Sequence, residues 1–390
     1  MTDYYGVADL NRSEARKARR SVSITVDLDA IRHNLSMARK LAGRARQFAT
    51  IKADAYGHGA IPVAHALSKS GIRRARPGDA NLIEDQGFAD GFAVVTLSEG
   101  LELRESGIND PILILQGPQS EAAAKEMLAH GMWPVIHDWA QYSWFRKLPR
   151  RQDFAAWLKV DTGMGRLGMS VTQVNDILQA DDGINWMGLM THFASADETD
   201  SDFTLEQYSR FNSVAIKPGM SKSLANSAAV LHWPQTHEDW VRPGIMLYGC
   251  NPLDKSLPVC IELRTAMAVE APLISVKSLE AGAGVGYAQT WHCPENMPVG
   301  YVALGYRDGL PRVLDETASV SIQGKRCPII GRVSMDSIAV DLRSTVGVTV
   351  GTMAQFWGPL SSIDALAKAA DTISYELLTS IRGKRHYTNE

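Results

Sequence analysis

The sequence is poor in the features that would assign it to a specialised class. Its four cysteines, Cys250, Cys260, Cys293 and Cys327, are scattered through 390 residues with no C-x-x-C pair. That excludes a disulfide framework and a cysteine-based zinc site, and no metal is expected. Charges nearly cancel, 40 Lys and Arg against 43 Asp and Glu, so neither nucleic acid nor anionic membrane is indicated as a partner. No apolar run approaches the ~20 residues of a membrane span. Residues 1–20 carry Arg12, Arg16, Lys17, Arg19 and Arg20 but no apolar core. They read as a mobile N-terminal arm rather than a secretory signal, and the expected setting is a reduced cytoplasm.

What is present is a 45% hydrophobic content in a chain too long for one typical core, so two domains are expected. Strand-like runs recur at Phe48–Lys52, Gly91–Val95, Ile112–Leu115, Trp133–Ile136, Ala156–Val160, Trp186–Met190, Ser223–Ala225 and Trp240–Leu247. Helix-like segments such as Leu97–Glu105 and Glu121–His130 lie between them. Eight strands alternating with helices predict an α/β fold, a (β/α)8 TIM-type barrel over residues 21–250. Ser23–Asp27 is a further strand, open to either domain, and Asp27 can cap a helix with Leu28, Ile31, Leu35, Ala38 and Leu41 on one face. Gly71–Gly87 interrupts the rhythm and reads as an exposed inserted loop.

After Asn251-Pro252 the character changes. Val259–Val276, Gly284–Trp291, Gly300–Leu304, Ser319–Ile322, Pro328–Val333 and Ser337–Leu342 are short, Val/Ile-rich and separated by glycine or proline. Strands without crossover helices predict a mostly-β domain over residues 251–390.

Chemistry is expected where barrel strands end. FATIKADAYGHGA places Lys52 at such an end, before Tyr56-Gly57-His58-Gly59. A partly desolvated lysine there can lose its proton and attack a carbonyl to form a Schiff base; the plain alternative is a snorkelling strand-end lysine. LKVDTGMGRLG ends a strand at Lys159, Val160 and Asp161 and then turns sharply at Gly163 and Gly165, presenting Arg166. His192 follows the sixth strand in Thr191-His192-Phe193-Ala194. Asn226-Ser227 can begin a helix, whose hydroxyl and amides suit an anion or simply cap it. Arg242-Pro243-Gly244-Ile245 lies at the eighth strand, where such barrels bind phosphate. In the β domain, Tyr287 and Tyr306 each stand beside glycines.

Taken together, ATIKADAYGHGA, DTGMGRLG, WVRPGIMLYG, GVGYAQTW and the Gly331–Asp336 run GRVSMD resemble an alanine racemase, in order from about Ile24 to Tyr375. The resemblance implies pyridoxal 5′-phosphate held as a Schiff base by Lys52. It implies a phosphate site made by Tyr56, Ser227, the Gly244 and Ile245 amides and Tyr375, with Asn226 beside it. Arg242 would face the pyridine nitrogen, His192 would hydrogen-bond Arg242, and Arg166 would contact the phenolic oxygen and the substrate. Lys159 matches a lysine carbamylated in many members.

The resemblance also implies interconversion of L- and D-alanine by two bases, Lys52 on the D side and Tyr287 of a partner subunit on the L side. Met335 would bind the substrate carboxylate across the same homodimer interface. Tyr306, Tyr375, Asp197, Arg312, Arg332 and Ile373 match an access corridor that favours a methyl side chain. The product expected is D-alanine for cell-wall peptidoglycan. Departures from the family pattern are the Gly71–Gly87 loop, Arg307 beside the corridor tyrosine, the ending IRGKRHYTNE and residues 1–20. The alternative is a racemase of the same fold acting on lysine, arginine or serine. A decarboxylase of this class would need a glycine-rich phosphate loop and a Cys-Asp pair, and neither is found. A barrel-only binding protein would lack the β domain.

Overall fold

A computed structural model describes residues 22–69, 87–149, 155–180, 182–254 and 261–388. The expected N-terminal arm and nearly all of the Gly71–Gly87 loop lie outside these. Asp27 ends β1 (Ser23–Asp27) and starts α1 (Leu28–Ala42): its Oδ1 accepts from the Asp29 and Ala30 amides at 2.9 and 3.1 Å. Leu28, Ile31, Leu35 and Ala38 are buried along α1, as their spacing predicts.

Eight parallel strands then close on themselves. They are β2 (Arg46–Thr50), β3 (Gly91–Val94), β4 (Ile112–Ile114), β5 (Trp133–Ile136), β6 (Ala156–Lys159), β7 (Trp186–Met190), β8 (Ser221–Ser223) and β9 (Trp240–Val241). Each pairs with the next, and β2 pairs with β9 through Arg46↔Trp240 and Gln47↔Val241. The expected TIM-type barrel is the observed one. Helices α2 (Ala60–Leu67), α3 (Leu97–Glu105), α4 (Glu121–Ala129), α5 (Trp139–Lys147), α6 (Val171–Gln179), α7 (Phe203–Asn212) and α8 (Ser227–His232) connect the strands. Inside, Phe48 stacks on Trp240 at 4.0 Å and meets Trp157 edge-on at 5.9 Å, with Leu113, Val135 and Met190 around them. A filled interior leaves the C-terminal rim for chemistry.

Trp240–Leu247 is not one strand. Pro243 has no N–H to continue the ladder, and Gly244 (φ −125, ψ −93) turns the chain into a tight helical turn, Ile245–Tyr248. The preceding strand is Ser221–Ser223 rather than Ser223–Ala225, because Asn226 already caps α8.

The β unit is built on β10 (Met267–Leu279), followed by β11 (Gly284–Val285), β12 (Trp291–His292), β13 (Met297–Val302), β14 (Ser319–Ile322), β15 (Lys325–Ile330), β16 (Ile338–Asp341), β17 (Met353–Trp357) and β18 (Arg385–Thr388). The order is β13-β16-β15-β14-β17-β10-β1-β18, with β10 also pairing β13. β10 serves two partners by a bulge between Leu273 and Ser275: Val269–Pro272 face β17, and Leu273–Leu279 face β13. Helices α9 (Ile363–Ala369) and α10 (Ser374–Ser380) precede β18. Several limits differ from the sequence reading. The strand expected from Val259 starts at Met267, and Gly284–Trp291 is a hairpin, β11–β12, around Tyr287–Gln289. Strands β17 and β18 and helix α10 were not anticipated.

Contacts divide the chain at Thr25/Val26 and Ala266/Met267, with Tyr387 onward grouped with the barrel. The division falls beyond the change of composition at residue 251, because Asn34 ties the intervening segment to the barrel. Its Nδ2 donates to the Leu247 and Arg264 carbonyls at 2.9 and 2.7 Å, and its Oδ1 accepts from Arg264 N at 2.8 Å. No helix of the described residues is long and apolar enough to cross a membrane. Cys250, Cys293 and Cys327 are buried.

Candidate active site

Strand β2 ends at Thr50, and Lys52 follows at the barrel rim. Ala53, Asp54, Ala55 and Tyr56 then take φ of 52–54° with ψ of 41–51°, a left-handed turn of four non-glycine residues. His58 Nδ1 donates to the Ala55 and Tyr56 carbonyls at 3.0 and 3.1 Å, and its ring stacks on Tyr248 at 4.3 Å. His58 therefore has a packing role. The turn carries Tyr56 back under Gly244, where an added Cβ would come 2.6 Å from the tyrosine oxygen, so only glycine fits. Burial pushes the Tyr56 phenol up.

Around that hydroxyl lie the anion-binding candidates. Ser227 Oγ accepts from the Gly244 amide at 2.8 Å and the Met246 amide at 3.3 Å. The amides gathered here are thus those of Gly244 and Met246; Ile245, between them, is buried. Asn226 Oδ1 accepts from Ala229 N at 3.0 Å, so this side chain caps α8.

Arg242 follows β9 and is buried. Its Nη1 donates to Ser223 Oγ at 2.6 Å, and its Nη2 to the carbonyls of Thr191 (2.6 Å) and Leu224 (3.0 Å), with His192 Nδ1 at 3.3 Å. Burial pushes the guanidinium down to about 10, so it stays charged at neutral pH. Burial and the neighbouring Arg242 hold His192 well below the usual imidazole range. Buried Gln207 braces the strand end: its Nε2 donates to Thr162 Oγ1 (3.1 Å) and the His192 carbonyl (3.2 Å), and its Oε1 accepts from Ala194 N (2.9 Å).

Lys159, at the end of β6, is buried, and burial with Arg242 and Arg166 lowers its amine to about 8. Lys52 is lowered by burial, Arg166 and Arg242, while Glu99 raises it. Asp161 shapes the Arg166 turn by accepting from the amides of Gly163, Met164 and Gly165 at 2.9–3.2 Å. Arg166 itself is exposed, as is Asp197 on the loop after β7. The barrel thus brings Lys52, Lys159, Arg166, His192 and Arg242 into one electropositive rim. Sequence reasoning missed Ser223, Tyr248 and Gln207, whose types and positions carried no signal apart from the fold. It also missed Glu99, whose Thr96-x-x-Glu99 capping pattern was legible.

In the β unit the named residues share exposure. Tyr287 is 66% exposed, Met335 50% and Ile373 61%. Tyr306, Arg312, Arg332 and Tyr375 are exposed as well. Gly305 lies so close to the Ser334 and Met335 carbonyls that a Cβ would clash at 2.3 and 2.5 Å. This lets Tyr306 N and Arg307 N each donate to that loop at 3.1 Å. Arg307 Nη1 lies 3.6 Å from Asp336 Oδ1. Among the described residues no group of acidic, histidine or cysteine side chains is arranged to hold a metal.

Residues 26–76 and 77–252 match the family profile "Alanine racemase, N-terminal domain", and residues 266–388 match "Alanine racemase, C-terminal domain". A catabolic alanine racemase of Pseudomonas putida is 39% identical over 94% of this chain and 98% of its own. An alanine racemase of Coxiella burnetii is 40% identical over 92% of this chain and 95% of its own. Among solved structures, a biosynthetic alanine racemase from Pseudomonas aeruginosa superposes with a TM-score of 0.84 at 36% identity, covering 95% of this chain and all (100%) of that one. The alanine racemase of Bartonella henselae, described with covalently bound pyridoxal phosphate, gives 0.82 at 27% identity, with 95% and 100% covered.

Proposed function

The chain belongs to the alanine racemase family, and from that premise we propose that it interconverts L- and D-alanine with pyridoxal 5′-phosphate at the barrel rim, using Lys52 and a partner subunit's tyrosine as opposed bases. The observation that carries this reading is Arg242: a buried cation at the C-terminal rim whose guanidinium bonds go to Ser223, Thr191, Leu224 and His192, none of them a carboxylate.

The residues present fit the cofactor. Tyr56 Oη held against Gly244, and Ser227 Oγ with its two amides, form a cradle for a phosphate. Arg166 and Arg242 lower the proton affinity of both Lys52 and Lys159, which bound anions would relieve. Lys52 would be the point of attachment, Arg166 would meet the phenolic oxygen, Tyr375 would contribute to the phosphate site, and Asn226 would support it by capping α8. When bound, pyridoxal phosphate withdraws electrons from an amino acid joined to it and so acidifies Cα.

The chain's own residues set the outcome. Arg242 donates a hydrogen bond without giving up its proton, which limits electron withdrawal and favours return of the proton to Cα. His192 accepts from Arg242 and fixes it. Lys52, with its lowered pKa, takes or returns the proton on the D face. Tyr287, exposed here, serves the L face of the partner's site, with Met335 from the same unit holding the substrate carboxylate. This reading requires a homodimer with shared sites. Lys159, neutral in part near pH 8, would add carbon dioxide at its amine nitrogen, release a proton to solvent and become an anion under the influence of Arg166 and Arg242. Tyr306, Tyr375, Asp197, Arg312, Arg332 and Ile373 would line the approach. The setting proposed is cytoplasmic and the use of D-alanine is in peptidoglycan; because some relatives are named catabolic, rescue of a D-alanine auxotroph is the check on that use.

Incubation with L-alanine in heavy water, following chirality and deuterium at Cα together, tests the activity. D-alanine carrying solvent deuterium is expected. Exchange with retained L configuration would mean that the L face only is served and would remove Lys52 from its role on the D face. Arg307, beside Tyr306 and paired with Asp336, favours a second reading with a broader range, tested with lysine, arginine and serine as substrates.

A further inference from the structure

The turn after Lys52 requires something to hold it. Each L-residue in the left-handed region costs about 1–2 kcal/mol, and Ala53, Asp54, Ala55 and Tyr56 occupy it in succession. Such a segment persists only where its surroundings over-determine it. At its far end the restraints are local: His58 on two carbonyls, Gly59 N on the Asp54 carbonyl at 2.8 Å, and Ala60 N on Asp54 Oδ1 at 2.7 Å.

Beside Lys52 the restraint comes from another strand's loop. Glu99 Oε1 accepts from Ala53 N at 2.8 Å. Its Oε2 accepts from Val95 N at 2.8 Å and Thr96 N at 3.0 Å, while Thr96 Oγ1 accepts from Glu99 N at 3.2 Å. The Thr96–Glu99 capping box starts α3 and needs only one carboxylate oxygen. The other reaches across to the residue that follows Lys52, a bond that capping does not require.

We propose that Glu99 is a positioning residue for Lys52, latching the start of the left-handed turn to the β3–α3 loop and so fixing the direction in which the amine leaves strand β2. The proposal rests on the reading of Lys52 as the attachment and base residue. Electrostatics agrees with the geometry: burial, Arg166 and Arg242 lower the Lys52 pKa, and Glu99 opposes them. The latch thus also sets how much of the amine is protonated.

The test is the pH dependence of Lys52 labelling by acetic anhydride in the full-length protein after cofactor removal, read by peptide mapping. Amide hydrogen exchange at Ala53 is followed alongside. In Glu99→Gln, Lys52 is expected to label severalfold faster at neutral pH and Ala53 to lose protection. Thr96→Ala, which removes the cap's hydroxyl but leaves the carboxylate's bonds from the Ala53, Val95 and Thr96 amides, should change neither. An unmoved labelling curve in Glu99→Gln, or an equal shift in Thr96→Ala, would reduce Glu99 to a helix cap. If Glu99→Gln does not fold, the wild type decides by itself, since an unprotected Ala53 amide overturns the latch. Borohydride reduction of the loaded wild type separates the two levels: pyridoxal phosphate on another lysine removes the reading of Lys52 whatever Glu99 does.

Discussion

Arg242 and His192 meet at 3.3 Å, with guanidinium Nη2 donating to imidazole Nδ1. That bond fixes the histidine as the acceptor, so a neutral ring carries its proton on Nε2. Burial and the Arg242 charge together keep it neutral. The pair therefore works as a charged donor held by neutral acceptors, across the pH range in which a free histidine would titrate.

Replacing the fork by a point charge should break this arrangement. In Arg242→Lys one nitrogen cannot serve Ser223, Thr191, Leu224 and His192 at once. Racemisation is expected to fall roughly tenfold or more, with about 1–3 kcal/mol of stability lost through unpaired acceptors. Steady-state rates and thermal melts read both, and an unchanged melt with unchanged kcat would show that charge alone suffices.

Lys159 makes stability depend on pH. Its folded-state pKa is depressed from 10.5 to about 8, so the unfolded chain binds more protons between those values and stability rises with pH there. The destabilisation is complete below about 8 and gone above about 10.5. In carbonate-free buffer, cofactor-free Lys159→Met should therefore be more stable than the wild type at pH 7, by on the order of 3 kcal/mol. Denaturant titrations across this range should show the difference closing as pH rises, and a constant difference would deny the depressed pKa.

Carbamylation of the same residue is expected once carbon dioxide is supplied. Labelled bicarbonate should give a carbamate carbon resonance in the wild type that Lys159→Arg lacks. Persistence of the signal in the variant would assign it elsewhere.

Tyr287→Phe should separate the two faces. Solvent deuterium should still enter unconverted D-alanine through Lys52, whereas exchange into unconverted L-alanine should fall by about a hundredfold or more. Equal loss of exchange from both enantiomers would contradict two opposed bases.

The shared site can be tested by mixing. Lys52→Ala and Tyr287→Phe should each be inactive as homodimers, yet a mixed dimer rebuilds one complete site from the intact Lys52 of one chain and the Tyr287 of the other. Random exchange of subunits should restore about a quarter of wild-type activity. No recovery after demonstrated subunit exchange would place Tyr287 in its own chain's site.

The sequence by itself determined the barrel and the residues on its rim. A parallel strand bounded by glycine and followed by a helix leaves its last residues at one end of the barrel, so Lys52, Lys159, His192, Ser227 and Arg242 were legible from spacing. What they bond to was not. Arg242 finds its partners at the ends of two other strands, residues 191–192 and 223–224, and Glu99 reaches Ala53 from 46 residues away. The left-handed run at Ala53–Tyr56 goes against the preference of every residue in it except Asp54. Strand β18 looks polar and unpatterned until β1 supplies a partner. Periodicity and turn chemistry act over a few neighbouring residues, so a sequence displays them. Long-range hydrogen bonds and the conformations they enforce exist only once the strands have closed, and only the tertiary structure could decide them.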